Sequence, residues 1–218
     1  MSQGDLLDPV TTHTRAARRA MIDSQLRPND VNDKRLLAAI EGVDREDYLP
    51  AARRAVAYRD RAIPLGDGRF APAPTVLFKL IDRADVRSEE HVLVVGPDAG
   101  YAAAVLARLG TKVVALDSVK SEGPGVDGVT MVKGALDKGH PADRAYDLIL
   151  ITGAVEQISE ALIEQLADGG RVAAPVIEGG LSRLAIGRKV GEAMAFRSFA
   201  DAQVARLAAF DRPQEFRF

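Results

Sequence analysis

Short apolar runs separated by helical stretches constrain this chain more than any other feature. "EHVLVVG" ends at Gly96, "TKVVALD" ends at Asp117, "YDLILITGA" begins at Tyr146 and "RVAAPVI" begins at Arg171. Each run is too short for an ordinary helix and lacks the polar alternation of a half-wet strand, so both of its faces must be buried. "VTMVKG", from Val129, is a weaker run of the same kind. Helical patterns lie between them: "VLFKLIDRADV", "YAAAVLARLG" closed by Gly110, and "SEALIEQLADGG" with Ser159 at its N-cap. Strands alternating with helices imply a parallel sheet covered on both faces. The predicted fold class is α/β, a doubly wound and mostly parallel sheet.

The flanks differ from this centre. "TRAARRAMIDSQLR" (14–27) gathers Ala17, Ala20, Met21 and Ile22 near one helical face and should end at Pro28. Asn32 is a candidate N-cap for a second helix through Leu36, Leu37 and Ile40, ending at Gly42. "REDYLPAARRAVAYRD" predicts a third helical stretch interrupted near Pro50. "IPLGDGRFAPAPT" (63–75) is too rich in proline and glycine for a helix or a central strand. It reads either as a plain linker or as a stiff loop at an active-site mouth. The division expected is an N-terminal helical segment with a substrate-side loop over 1–74 and the sheet domain over 75–218, together one compact unit. After Gly180 the pattern "LSRLAIGRKVGEAMAFRSFADAQVARL", with a turn at Gly191, predicts an antiparallel ending. Between Asp117 and Val129 the chain reads "DSVKSEGPGVDG". Its glycines and proline leave no room for a crossover helix, so the outer edge of the sheet should lack one.

Composition excludes several classes of function. There is no cysteine, hence no disulfide, thiolate metal site or cysteine nucleophile. His13, His91 and His140 are scattered, so no metal site is expected. A net charge of −2 gives no overall field for nucleic acid or an anionic membrane. No apolar run is long enough to span a bilayer, and the first residues carry no apolar signal core, so a cytoplasmic protein is expected.

The stretch richest in chemistry is "VVGPDAGYAAAVLARLG", a strand, a turn and a helix. In doubly wound folds such a turn lies at the carboxyl edge of the sheet, where nucleotides bind. The helix N-terminus offers free N–H groups and the positive end of its dipole. Gly96 and Gly100 flank Pro97, Asp98 and Ala99, a spacing that does not fit the dinucleotide fingerprint. Asp117 closes the next strand, where a carboxylate suits two ribose hydroxyls; its alternative is a solvated strand end.

Three segments resemble the protein-L-isoaspartate O-methyltransferase family, a branch of the Rossmann-like class I methyltransferases that use S-adenosyl-L-methionine. "VDREDYLPAARRAVAYRDRAIPLGDGR" is similar to the family's Pro-Arg-Glu-type signature followed by Ala-Tyr-x-Asp and Pro-Leu-Gly-x-Gly. "VLVVGPDAGYAAAVLARLG" resembles its Gly-x-Gly-x-Gly-Tyr cofactor loop and helix. "YDLILITGAVEQISEALIEQLADGGRVAAPV" is similar to its fourth strand, next helix and fifth strand. The resemblance covers roughly residues 20 to 210. It implies methylation of an isoaspartyl carboxylate in a damaged protein or peptide, a cofactor cradle of Gly96, Asp98, Gly100, Tyr101, Asp117, Ala135 and Thr152, and a substrate-side loop of Arg69, Phe70, Pro72 and Pro74.

The departures fall on that site. Asp98 stands where the family has a central glycine, and its charge should crowd the methionine end of the cofactor. Ala135 stands where an aspartate reaches the adenine, with Asp137 two residues late. "FAPAP" replaces Thr-Ile-Ser-Gln-Pro, so Pro72 occupies the serine position and no catalytic residue is identified. A carboxylate acceptor needs no general base, and alignment can supply most of the rate. The alternative reading is a binding or scaffold protein that kept the fold with weak or absent cofactor binding. For it, the "FAPAP" loop and the terminal "FDRPQEFRF" are candidate self-association surfaces, and a homodimer is one expected assembly.

Overall fold

The computed structural model describes residues 9–120, 123–191 and 193–212. Its centre is a seven-stranded sheet. The strands are β3 (His91–Val95), β4 (Lys112–Asp117), β5 (Val129–Lys133), β6 (Tyr146–Ile151), β7 (Leu166–Glu178), β8 (Leu181–Val190) and β9 (Ala193–Asp201), in the order β5-β4-β3-β6-β7-β8-β9. The pairs from β5 through β7 are parallel, and β7/β8 and β8/β9 are antiparallel. This is the doubly wound sheet with the antiparallel ending that the apolar runs predict.

Successive strand residues point to opposite faces, and here both faces are dry. Val92, Val94, Val113, Ala115, Leu148 and Leu150 pack under α3 (Pro74–Ala84) and α4 (Ala99–Ala107). Leu93, Val95, Val114, Leu116, Ile149 and Ile151 pack on the other side with Leu162, Leu207 and Phe210. Helix α4 is buried from Ala99 to Leu106, and its alanines allow the close approach that such burial needs.

The N-terminal segment packs into the first of these two cores through Met21, Leu26, Leu36 and Ile40. Helix α1 runs Pro9–Met21, starting before the expected Thr14, and continues as a wider turn over Ile22–Leu26. The N-cap of α2 (Lys34–Glu41) is Asp33 rather than Asn32. The Asp33 carboxylate accepts from the N–H groups of Arg35 (2.7 Å) and Leu36 (3.1 Å), which only the residue at that place can reach. The third helical stretch is two tight turns, Arg45–Tyr48 and Ala51–Val56, split at Pro50 as expected. "IPLGDGRFA" forms a hairpin apart from the main sheet, β1 (Ile63–Gly66) with β2 (Arg69–Ala71). Helix α5 is short, Glu160–Glu164, and the chain is back in a strand from Leu166. At Gly170 a side chain would meet Ala167 O at 2.8 Å and Tyr146 O at 3.0 Å, so glycine there lets the chain close onto β6.

Among the described residues, no helix joins β4 to β5, as the glycines and proline of that connection require. Phe216 and Phe218 of the terminal segment lie outside the described residues, whereas Phe210 is buried in the core.

Candidate functional site

The turn after β3 sits where β3 and β6 end side by side. Gly96 has φ +120, and an added Cβ would lie 2.6 Å from the Thr152 hydroxyl, so only glycine fits. Thr152, at the end of β6, donates its hydroxyl to Pro97 O at 2.7 Å, and its N–H bonds Val95 O at 3.0 Å. The turn is thereby stapled to the neighbouring strand. Asp98 follows in the left-handed region (φ 65) and caps α4 through its backbone carbonyl, which accepts from Ala102 N–H. Aspartate is one of the few side chains that tolerate this conformation.

The Asp98 carboxylate does not stand free in the cradle. Its Oδ2 accepts from Arg45 Nη2 at 3.1 Å, and both side chains are wholly buried. Arg45 also donates to Ala57 O (3.1 Å) and Pro72 O (2.7 Å), and it lies over the Tyr101 ring at 5.3 Å. One guanidinium thus ties the N-terminal segment, the residue at the family's serine position and the cofactor turn together. The repulsion expected from a bare anion at 98 is met by this cation. Burial still pushes the Asp98 carboxyl up to about 6, against the opposing pull of Arg45. Burial likewise raises the Tyr101 phenol, whose ring packs on Tyr48 and Phe78.

Asp117 lies at the end of β4, as the spacing from Gly96 predicts. Its Oδ1 accepts from Ser118 Oγ (3.3 Å) and Val119 N–H (3.4 Å). Its Oδ2 accepts from the guanidinium of Arg69. The structure therefore joins Arg69, expected on the substrate-side loop, to Asp117, expected to hold the ribose. Ala135 caps the turn Leu136–Lys138 and presents only a methyl group; the Asp137 carboxylate pairs with Lys138 at 3.4 Å, and the Asp137 carbonyl accepts from Ser159 Oγ.

The C-terminal segment reaches the same place, which sequence reasoning does not anticipate. Ala154 N–H bonds Ala205 O and Leu207 N–H bonds Ala154 O, both at 2.8 Å, laying 205–207 along the end of β6. The Leu207 side chain covers two glycines: a Cβ on Gly153 would lie 2.5 Å from it, and one on Gly96 would lie 3.5 Å from it.

Beyond the turn, a cleft of about 670 Å³ opens between the hairpin and residues 201–205. Phe70, Val76 and Leu184 supply apolar wall, and Arg61 and Lys79 are matched by Asp60 and Asp201. Phe70 is 36% exposed, Pro72 is buried behind it, and Pro74 begins α3. Among the described residues no helix is long and apolar enough to cross a membrane, and no cluster of three or more His, Cys, Asp or Glu could hold a metal.

Four buried polar atoms around the turn have no hydrogen-bond partner: Asp98 Oδ1, Arg45 Nε, Arg69 Nε and Tyr101 Oη. Three of these belong to the buried Arg45–Asp98–Tyr101 cluster behind the turn, and the fourth, Arg69 Nε, lies on the side chain that holds Asp117. The donor set suits an adenosyl group: a carboxylate for ribose at Asp117, glycine backbone at 96, and the N-terminus of α4. Arg69 lies on Asp117, and Leu207 lies against Gly96 and Gly153.

Comparison with known proteins agrees with this geometry. A protein-L-isoaspartate O-methyltransferase from Methanoculleus marisnigri is 34% identical across 74% of this chain and 78% of its own. One from Methylorubrum populi is 34% identical across 85% of this chain and 92% of its own. A solved Plasmodium falciparum structure, described as a protein-L-isoaspartate O-methyltransferase in complex with S-adenosyl-L-homocysteine, superposes with a TM-score of 0.73 at 16% identity, covering 90% of this chain and 98% of that one. The model of the family described as protein-L-isoaspartate(D-aspartate) O-methyltransferase matches residues 16–199, and with that match this chain belongs to that family.

Proposed function

We propose that the protein is an S-adenosyl-L-methionine-dependent carboxyl methyltransferase acting on isoaspartyl residues of damaged proteins or peptides. The observation that carries this reading is the placement of Asp117 beside the turn that begins at Gly96, with the β1–β2 hairpin reaching from Asp117, through Arg69, to the separate cleft that Phe70 lines. When bound, the cofactor supplies a methyl group on a positively charged sulfur, which an oxygen nucleophile can accept.

The chain's own residues then bind and orient. Asp117 grips the ribose hydroxyls once Arg69 leaves it. Gly96 and the first N–H groups of α4 form the floor. Ala135 gives the adenine no side-chain acceptor, which lowers affinity. Phe70, Pro72 and Pro74 shape the mouth between cradle and cleft. Pro72 holds its place through its carbonyl, bonded to Arg45, and not through a hydroxyl. The acceptor carboxylate is already ionised at neutral pH, so no side chain is needed to remove a proton. Arg61 and Lys79 offer cations to an acceptor carboxylate in a cleft whose lining also holds Asp60 and Asp201. Alignment accounts for the acceleration in this reading.

The test is calorimetric titration with S-adenosylhomocysteine, followed by transfer of labelled methyl to an isoaspartyl peptide and to its aspartyl counterpart. Binding with transfer to the first peptide alone supports the assignment. An absence of heat at millimolar ligand would favour a binding-only role.

A further inference from the structure

We propose that Arg69 is a latch on the cofactor site: it competes with the ribose for Asp117, and its release moves the β1–β2 hairpin that walls the acceptor cleft. This rests on the reading of the cradle as an adenosyl site.

Three observations carry it. Asp117 is nearly buried, with its side chain 8% exposed, and the oxygen not held by its own loop is held by Arg69, itself 19% exposed. A carboxylate accepts about four hydrogen bonds; Oδ1 already takes two from Ser118 and Val119 and Oδ2 takes one from Arg69, so a ribose that needs two competes with the guanidinium. The latch is also incompletely satisfied, because Arg69 Nε is buried without a partner. Opening it forfeits less than breaking a fully bonded pair.

The hairpin has no strand pairing to the main sheet. Its strands span Ile63–Gly66 and Arg69–Ala71 and pair with each other. Its tip is the exposed Asp67–Gly68 turn, with φ 50 and 71. Ile63 and Ala71, at its base, are fully buried and can serve as the pivot.

The hairpin also faces two ways. Neighbouring residues of a strand point to opposite sides. Arg69 reaches the cofactor end, and Phe70 lines the acceptor cleft. A ligand that displaces Arg69 therefore repositions Phe70. Linkage requires the reverse as well: an acceptor peptide that engages Phe70 raises cofactor affinity by the same factor.

The experiment compares S-adenosylhomocysteine binding to the wild type, Arg69→Ala, Arg69→Lys and Asp117→Asn. Arg69→Ala should bind about tenfold tighter, Arg69→Lys should fall between it and the wild type, and Asp117→Asn should bind more weakly than all of them. Hydrogen exchange supplies a second readout on the unaltered chain: amides of residues 63–71 should exchange faster with ligand bound. If the wild type binds, but Arg69→Ala gains nothing and the hairpin amides slow or stay unchanged, the latch is overturned and the methyltransferase reading stands. If neither wild type nor variant binds at millimolar ligand, both fall. Should Arg69→Ala fail to fold, the lysine variant and the exchange measurement decide the question alone.

Discussion

Arg45 and Asp98 form an ion pair at 3.1 Å that water does not reach, although 53 residues separate them in the chain. Removing one partner of such a pair leaves an uncompensated buried charge. Arg45→Met should therefore destabilise the protein by about 3–5 kcal/mol at pH 7. The double variant Arg45→Met/Asp98→Asn should recover much of that loss. Urea unfolding of the two single variants and the double variant gives the coupling energy, and strict additivity would refute the pairing.

The same carboxyl shapes the pH profile. Burial raises its folded pKa to about 6 from an ordinary 3.8. Its contribution to stability is present below about pH 4 and is lost as pH rises through about 6. Relative to Asp98→Asn, the wild type should lose up to about 3 kcal/mol between pH 4 and pH 7. Parallel unfolding curves of the two proteins across that range would contradict it.

Asp33 should behave in the opposite sense. Burial pushes its carboxyl up, but the N–H groups of Leu36 and Arg35 outweigh that and hold it below the ordinary value. Its stabilising bonds are present above about pH 4 and disappear as the group is protonated. Asp33→Ala should cost about 1 kcal/mol at pH 7 and progressively less as the pH falls below 4. Asn32→Ala, one position earlier, should cost much less, which distinguishes the two candidate caps in one set of thermal melts.

Leu207 and Gly153 are fitted to each other. Gly153→Ala would set a Cβ 2.5 Å from Leu207 and should cost about 1–3 kcal/mol by overpacking. Leu207→Ala should cost about 2 kcal/mol by leaving a void. Combined, the two changes should cost less than their sum, because the small side chain makes room for the added methyl. Denaturant midpoints of the three variants check this.

The parts of the fold readable in advance are those set by nearby residues. The apolar runs gave the strands because burial on both faces leaves one pattern, and the glycines after Asp117 excluded a helix by local geometry alone. The site was legible to the same depth: Gly96, Thr152 and Asp117 lie together because strand ends in a parallel sheet align. Arg45 was not legible as a partner of Asp98, although a buried carboxylate in a left-handed turn demands a cation from somewhere. The bond from Arg69 to Asp117 was not legible, because a hairpin's two faces cannot be told apart without knowing what each meets. Leu207 was invisible for the same reason, since its contacts are to glycines more than fifty residues away. The choice between Asn32 and Asp33 turned on one step of chain, finer than propensity resolves.

The helix-free connection between β4 and β5 has a bearing on how the molecule tolerates change. With β4 as its sole strand neighbour among the described residues, β5 is held by that pairing and by Val129 and Val132, which pack on the two cores. Thr130 and Met131 on that rim face solvent, away from both cores. Other side chains at Thr130 and Met131 should therefore cost little in folding free energy, unlike any change at the buried Arg45 or Asp98.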